Sequence, residues 1–450
     1  MPSANNNVSA RIGRPGSMSA CLKSRGIVLA IIGVGLVVRL AVLLLYLSTH
    51  DWYGETWEPE IVAKNLLEGQ GFTVFAYGDI PYRSLVPPVF PVLCYVFHLV
   101  GGPSLGLYYV FQLSIAAGII WLTYVIAERW FGFLPAAIAA LLVALEPGLV
   151  FYHSYKVESI ALGTFLFLLG TYTFVLMTLS PNVRLAACTG LIMGLGVMTR
   201  PDMLGIFVLL PLWAIFERKR FLLILKLTLV VIVVAAMVWA PWAIRNYRIH
   251  SHFVFLTTYS GESLWRGNNP NSTGTTITFN RQSQFDAAPT EFREKIATAN
   301  EIQKDALFKE EAQRFIANDP IGFLWRVCEK IYYFWWFTPT YATQYYEWVP
   351  SPLVGMYQIL YGMLLAFAIL GTGRAVKRAK PDVCRFTWYL LAAPFSVAAI
   401  HGISYVEGRH RVLVMPFVLI LAAYGIAFFL KVFTGIRADR SHADKKMAAT

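Results

Sequence analysis

Long apolar segments recur along this chain, and they constrain its fold more than any other feature. Of its 450 residues, 57% are hydrophobic and only 14% are charged, a balance that soluble domains do not have. A helix needs about 20 apolar residues to cross a bilayer. Segments near that size predict an all-α polytopic membrane protein with about ten transmembrane helices, at 26–48, 105–127, 133–151, 157–179, 185–199, 203–216, 221–244, 352–371, 386–403 and 412–433.

Positive charge predicts the orientation of these helices. The net charge is +12, but much of the Lys and Arg lies in short loops and tails between apolar segments. That is the positive-inside pattern of membrane proteins, so nucleic acid is not an expected partner. Basic runs at 217–220 and 374–380 mark the cytoplasmic side. Both ends of the chain, a disordered N-terminus at 1–25 and a tail at 434–450, are therefore predicted to be cytoplasmic.

Between these ends the chain is expected to have three regions. They are a transmembrane catalytic core at 26–244 that contains the first outer loop 49–104, a periplasmic loop region at 245–351, and C-terminal transmembrane helices at 352–433. Two further apolar stretches do not fit the alternation of sides. They are predicted to be interfacial or re-entrant helices on the outer face, at 87–101 and 321–337.

The periplasmic loop region carries helical signals of its own. An amphipathic helix is expected over 290–317, with Glu291 and Lys295 spaced for an i,i+4 ion pair. Asp319 and Pro320 are expected to end that helix and begin the next one.

The first outer loop concentrates acidic residues just outside the membrane. Asp51, Glu55, Glu58, Glu60 and Glu68 share this loop with a single cation, Lys64. A helix is predicted to begin near Pro59 and to end at Gly69 and Gly71, with Glu55 and Glu58 on one helical face. A carboxylate cluster here suits a general base or a metal ligand. The alternative is a solvated acidic loop.

Polar residues at the other outer helix ends are expected to converge on this loop. Cations beside an apolar layer suit a lipid phosphate, and a carboxylate opposite them suits deprotonation of a hydroxyl. The alternative for each long side chain is snorkelling to the interface, and Glu158 has the further alternative of a helix-dipole partner. The residues are Lys156, Glu158, Arg200, Asp202, Arg245, Glu407, Arg409 and Arg411.

A series of short motifs resembles the membrane-embedded GT-C glycosyltransferases. It is most similar to the bacterial glycosyltransferase family 39 group, with relatives of protein O-mannosyltransferases and of the aminoarabinose transferase acting on lipid A. The resemblance covers roughly residues 26–430. In order, the motifs are Arg39-Leu40, GETWEPEIVAKNLLEGQGF, LVPPVFPVL, AERWFG, YKVES, MTRPDM, PWAIRNY, ESLWRGNNP and EGRHRVLVMP.

The resemblance implies roles for individual residues. An acidic residue of the first outer loop stands eight positions before a small helical residue, here Ala63, which makes Glu55 the predicted base. The family more often has Asp there, so Glu58 and Asp51 remain rivals. Glu158 resembles the acidic residue that helps place donor, acceptor or metal. Cations near the lipid phosphate are Arg200, Arg245, Arg409, Arg411 and Lys156, and substrate-positioning residues are Asp202, Tyr82, Arg83, Asn268 and Asn269.

The implied activity is transfer of a sugar from a polyprenyl-phosphate donor to a hydroxyl of a glycan, lipid or protein, with inversion. The implied location is a bacterial inner membrane, with the active site facing the periplasm. A divalent metal is a further expectation, through Glu55 and Glu158. A transporter or flippase of a lipid-linked sugar is the alternative, but the predicted spans hold few ionisable residues, among them Arg39 and Lys226. A structural membrane subunit would leave the acidic loop unexplained.

Overall fold

The structure is a computed structural model, and it describes residues 18–49, 57–77, 80–102, 104–217, 220–278, 280, 282–338 and 351–447. In these ranges the regular structure is helical apart from two isolated antiparallel bridges, Val74 with Tyr82 and Ile277 with Ser283. The all-α fold class predicted from the sequence is confirmed.

The helices follow one another with short connections. In chain order they are α1 Met18–Leu47, α2 Glu58–Leu67, α3 Val89–Gly101, α4 Gly106–Phe131, α5 Phe133–Leu145, α6 Pro147–Tyr152, α7 Ile160–Leu179, α8 Val183–Thr199, a 3₁₀ helix Pro201–Gly205, α9 Ile206–Phe216, α10 Phe221–His250, α11 Ser260–Gly267, α12 Thr290–Thr298, α13 Glu301–Asn318, α14 Pro320–Trp335, α15 Ser351–Arg378, α16 Pro381–Ile403, α17 Gly408–Val412 and α18 Met415–Met447.

Seven of the helices in the described ranges are long and apolar enough to cross a membrane, as expected of a multi-pass membrane protein. They are Arg25–Leu47, Gly106–Phe131, Ile160–Leu179, Phe221–His250, Pro352–Lys377, Pro381–Ile403 and Met415–Gly435. The other three predicted spans, 133–151, 185–199 and 203–216, correspond to shorter apolar helices.

The predicted span 133–151 is wrong in one respect, because the helix is interrupted at Glu146. Pro147 has no N–H for the Val143 carbonyl, so a continuous helix would lose that hydrogen bond. Glu146 instead caps α6 by accepting the Leu149 N–H at 2.6 Å. The orphan carbonyls of Val143 and Ala144 accept hydrogen bonds from the fully buried Arg39 guanidinium of α1, at 3.1 and 2.7 Å.

The acidic first loop contains the predicted helix, and α2 begins at Glu58 with Pro59 in its first turn. Gly69 and Gly71 follow its end with φ of 76° and 80°, which a side chain disfavours. Trp57 at the N-cap is extended, and α2 begins at Glu58. The common helical face predicted for Glu55 and Glu58 stays a prediction. Glu55 and Asp51 lie outside the described residues.

The amphipathic helix predicted over 290–317 is two helices. α12 ends at Thr298 and α13 begins at Glu301, because Asn300 and Gln303 form a capping box. The predicted pair of Glu291 and Lys295 is present at 2.7 Å.

The predicted boundary after this region is confirmed. α13 ends at Asn318, and Asp319 caps α14, which begins at Pro320. α3 and α14 have 13 and 16 residues, less than the length of a spanning helix. α14 exposes Ile321 and Trp325 on one face and buries Lys330 on another.

Candidate functional site

Three segments that are distant in the sequence meet around Arg409. Its Nε donates to Glu407 Oε2 at 2.7 Å, and its Nη1 lies 3.5 Å from Glu158 Oε1. The Trp57 ring lies 5.9 Å from the Arg409 guanidinium carbon and 5.6 Å from Lys156 Nζ. We call Trp57, Lys156, Glu158, Glu407 and Arg409 the outer cluster. It joins the start of α2, the turn after α6 and the start of α17.

Local structure fixes the carboxylates of this cluster. Glu407 is the N-cap of α17 and forms a reciprocal capping pair with His410. Its Oε1 also accepts the Thr276 hydroxyl at 2.6 Å, which ties it to the loop after α11. The backbone N–H of Glu158 donates to the Lys156 carbonyl, and the Tyr108 hydroxyl donates to the same carbonyl at 2.8 Å. Both carboxylates are therefore held by short, well-bonded turns.

A cavity of about 560 Å³ adjoins this cluster through Ser159, the neighbour of Glu158. The most polar part of its wall is an ion pair in which Arg200 binds Asp202 through Nε and Nη2, the closest contact being 2.7 Å. Burial alone would raise the pKa of Asp202, but Arg200 and His401 outweigh it and hold that pKa well below its usual range. Asp202 is therefore an anion.

Two stacked imidazoles complete the wall, with ring centroids 3.7 Å apart. His401 Nδ1 lies 3.0 Å from the Tyr405 carbonyl and Nε2 lies 3.3 Å from Asp202 Oδ2. Both ring nitrogens of His401 are therefore within hydrogen-bond distance of an oxygen atom. His410 differs, because its Nδ1 accepts the Glu407 N–H. Burial, His401 and Arg409 lower the pKa of His410 well below its usual value, so it is neutral.

Three of the predicted residues lie in a different place. Arg245 donates to the Arg83 carbonyl at 2.7 Å, and its guanidinium carbon lies 4.2 Å from the Trp242 ring centroid. The exposed Arg83 lines a second cavity, of about 570 Å³, beside Glu301. Tyr82 is buried under Lys304, whose Nζ lies 5.0 Å from its ring centroid. The structure does not bring these residues to the outer cluster.

Arg411 is close to Arg409 in sequence but is turned into the protein. It is 2% exposed, donates to the Trp336 carbonyl at 3.0 Å, and lies 4.1 Å from the Tyr361 ring centroid.

Asn268 and Asn269 are also buried, and their side chains bond chiefly to backbone. Asn268 donates to the Leu264 and Ile403 carbonyls, and Asn269 donates to the Trp265 carbonyl. Lys330 donates to Asn268 Oδ1 and, at 2.8 Å, to the Ser404 carbonyl. Burial lowers the pKa of Lys330 to about 7, while these oxygens favour its charged form. In this structure, the two asparagines connect loops.

Glu58, the second candidate for the base, is the exposed first residue of α2 and follows Trp57 directly. Glu55, the first candidate, precedes Trp57 by two positions in the sequence. The roles of all these predicted residues stay predictions.

Sequence reasoning missed His401 and Glu146. Each was an ionisable residue within a predicted apolar span, 386–403 or 133–151, and that position was the available signal.

A divalent metal also stays a prediction. In the part of the chain that the structure describes, no group of three or more His, Cys, Asp or Glu side chains could hold one. Glu158 and Glu407 already share Arg409.

Comparisons with known proteins rest on structure alone. No family model matches the chain, and no curated protein matches its sequence. The crystal structure of the Archaeoglobus fulgidus oligosaccharyltransferase in the apo form is similar with a TM-score of 0.53 and 14% identity, over 92% of this chain and 52% of that one. The archaeal enzyme AglB from the same organism, in complex with an inhibitory peptide and a dolichol-phosphate, gives a TM-score of 0.51 and 13% identity over the same shares.

ArnT from Cupriavidus metallidurans in the apo state matches 90% of this chain and 78% of its own at 15% identity, but its TM-score of 0.37 carries no argument. The chain spans about half the length of the archaeal enzyme. At these identities the likeness concerns the fold alone: this chain has an all-α fold similar to that of the archaeal oligosaccharyltransferase.

Proposed function

We propose that this protein is a membrane glycosyltransferase that transfers a sugar from a polyprenyl-phosphate donor to an acceptor hydroxyl. The observation that carries the proposal is the outer cluster. Arg409 lies between two carboxylates and, with Lys156, beside Trp57 of the acidic loop. The GT-C fold supports it, because that fold is shared with the oligosaccharyltransferase. The proposed setting is a bacterial inner membrane with the cluster facing the periplasm.

The proposed reaction is a direct displacement at the anomeric carbon. The acceptor oxygen forms a bond to that carbon while the bond from the carbon to the phosphate oxygen breaks, and the configuration inverts. Glu55, or Glu58 in its place, takes the acceptor proton. Lys156 and Arg409 are the cations that balance the charge on the leaving polyprenyl phosphate. Glu158 positions the reacting groups through its contact with Arg409.

The alternative, a transporter or flippase, calls for ionisable groups inside the membrane region. Arg39 and Glu146 are such groups, both buried. Their hydrogen bonds, however, cap the two helices that meet at Glu146. These hydrogen bonds give Arg39 and Glu146 a structural role, which favours the enzyme over the transporter.

The test is transfer by the purified full chain in proteoliposomes, with a panel of polyprenyl-phosphate sugars and with acceptor glycans, lipids and peptides. Glu55→Gln keeps the size and removes proton acceptance, so it should lower the rate by about 10²–10⁴. Glu55→Asp should be milder. Glu158→Gln should also impair turnover, through positioning.

Glu291→Gln is the matched control, because Glu291 is an exposed carboxylate in a surface ion pair. It should leave activity unchanged. Loss of activity in Glu58→Gln, with full activity in Glu55→Gln, would identify Glu58 as the base. Full activity in both variants would end the proposal that this loop supplies the base.

A further inference from the structure

The 560 Å³ cavity beside the outer cluster has a lining that the proposed transfer reaction does not use. Its size lies within the range of about 300–1,000 Å³ that is usual for small-molecule sites. We infer that this cavity binds a terminal glycosyl unit of the acceptor, so that the acceptor is a glycan. The inference rests on the proposed function, since it names the acceptor class of that reaction.

The polar groups of the wall match a ring that carries several hydroxyl groups. A carboxylate offers about four lone-pair positions. Asp202 Oδ1 receives one long contact, 3.3 Å from Arg200 Nε, whereas Oδ2 also receives Arg200 Nη2 and faces His401. Asp202 can therefore accept a further hydrogen bond from a ligand in the cavity that it lines. Because His410 Nδ1 accepts the Glu407 N–H, its ring hydrogen is on Nε2, a donor on the same wall.

These groups are also rigid. Arg200 holds Asp202 with two nitrogens, and the His410 ring is held by the Glu407 N–H at Nδ1 and by stacking on His401. A fixed donor and acceptor discriminate between ligands by the spacing of their hydroxyl groups, because a mismatched ligand leaves buried polar atoms unpaired. A sugar ring carries several hydroxyl groups that each donate and accept, so adjacent hydroxyls can pair with Asp202 and His410 together.

Two tyrosines form the aromatic part of the lining. Tyr259 and Tyr405 have hydroxyl oxygens 3.4 Å apart, and both residues line the cavity. An aromatic face packs against the C–H groups of a sugar ring, while the hydroxyl remains available for hydrogen bonds. Burial raises the pKa of the Tyr405 hydroxyl, so this group stays protonated and can donate.

The position of the cavity fits an acceptor that arrives from water. Ser260 and Ser263 of α11 and Lys309 of α13 form one side, and Lys309 is exposed. Ser159, which follows Glu158 in the chain, also lines the cavity. A glycan that enters past α11 would thus direct one hydroxyl toward the outer cluster.

The test is binding of soluble hexose and pentose oligosaccharides to the full chain in nanodiscs, by saturation-transfer NMR and without any donor. Ser263→Trp fills the cavity from its α11 side and should abolish the signal, whereas Ser263→Ala should keep it. Ser283→Trp is the matched control, since Ser283 is exposed and does not line the cavity. Asp202→Asn should weaken binding at least tenfold, with unchanged size-exclusion behaviour as the check on folding.

The inference is overturned if no oligosaccharide binds the wild-type chain, or if Ser263→Trp and Asp202→Asn bind as well as wild type. Transfer to a peptide or a lipid hydroxyl without oligosaccharide binding would refute the glycan acceptor and leave the glycosyltransferase standing. Oligosaccharide binding at the cavity, with no transfer from any polyprenyl-phosphate sugar to any acceptor, would refute the glycosyltransferase instead.

Discussion

Replacing Arg39 by Leu should destabilise the fold through the break between α5 and α6. Arg39 supplies hydrogen bonds to the Val143 and Ala144 carbonyls, and Pro147 cannot supply the one that Val143 lacks. A buried polar group left without a partner costs about 1–3 kcal/mol, so two carbonyls cost about 2–6 kcal/mol. Removal of a buried charge offsets part of this cost. We expect a net loss of about 2–4 kcal/mol.

The assay is thermal unfolding of the purified protein in one detergent, followed by tryptophan fluorescence. Lys226→Leu is the matched control, because Lys226 is also a cation within an apolar helix but its side chain is exposed. We expect Arg39→Leu to melt well below wild type, Arg39→Lys to melt between the two, and Lys226→Leu to melt like wild type. Equal melting temperatures for Arg39→Leu and Lys226→Leu would refute the capping role.

Arg409→Ala should lower kcat/KM for the donor at least tenfold. Arg409→Lys should restore only part of that activity, because an ammonium lacks the planar guanidinium that contacts both carboxylates. Wild-type kinetics in the Ala variant would remove this cation from the mechanism. A cysteine at Ser283 should react with a membrane-impermeant reagent from outside and one at Gly373 should not, and the reverse result would invert the orientation. Burial lowers the pKa of His410 in the folded chain. Below about pH 6.5 the unfolded chain therefore binds a proton at this residue that the folded chain does not bind. The free energy of unfolding should rise with pH up to about 6.5 and then level off. His410→Phe should flatten that rise in a pH series of melting curves, and an unchanged slope would contradict it.

The long helices were predictable because apolar length is a local property of the sequence. The boundaries of α2 and α14 were predictable for the same reason, since Pro59, Gly69 and Asp319 act on their own neighbours. The break at Glu146 was missed because an average over an apolar window conceals one Glu-Pro pair. The interrupted helix is stabilised by Arg39, which lies more than 100 residues away in the sequence. No local sequence pattern reveals such a contact.

The candidate site was predictable only in part. Glu158 and Arg409 were expected to meet because both lie at outer helix ends, and they are 3.5 Å apart. Arg245 was expected nearby by the same reasoning and Asn268 by the family resemblance, yet their side chains bond to backbone carbonyls of neighbouring loops. A polar residue that supports the backbone and one that faces a ligand look alike in a sequence. The contact of His401 with Asp202 was not predictable either, because it joins residues that are 199 positions apart in the sequence.

Helix α14 connects an exposed apolar face to a residue of the cavity lining, Ser404. Its outward face exposes 82% of Ile321 and 74% of Trp325, while Lys330 on its inner side donates to the Gly267 and Ser404 carbonyls at the ends of α11 and α16. The sequence predicts that α14 lies at the membrane interface, so its depth there would act on Ser404, which lines the cavity. Acyl-chain length and lateral pressure in the surrounding leaflet would then act on acceptor binding, making lipid composition a control on this protein in its own right.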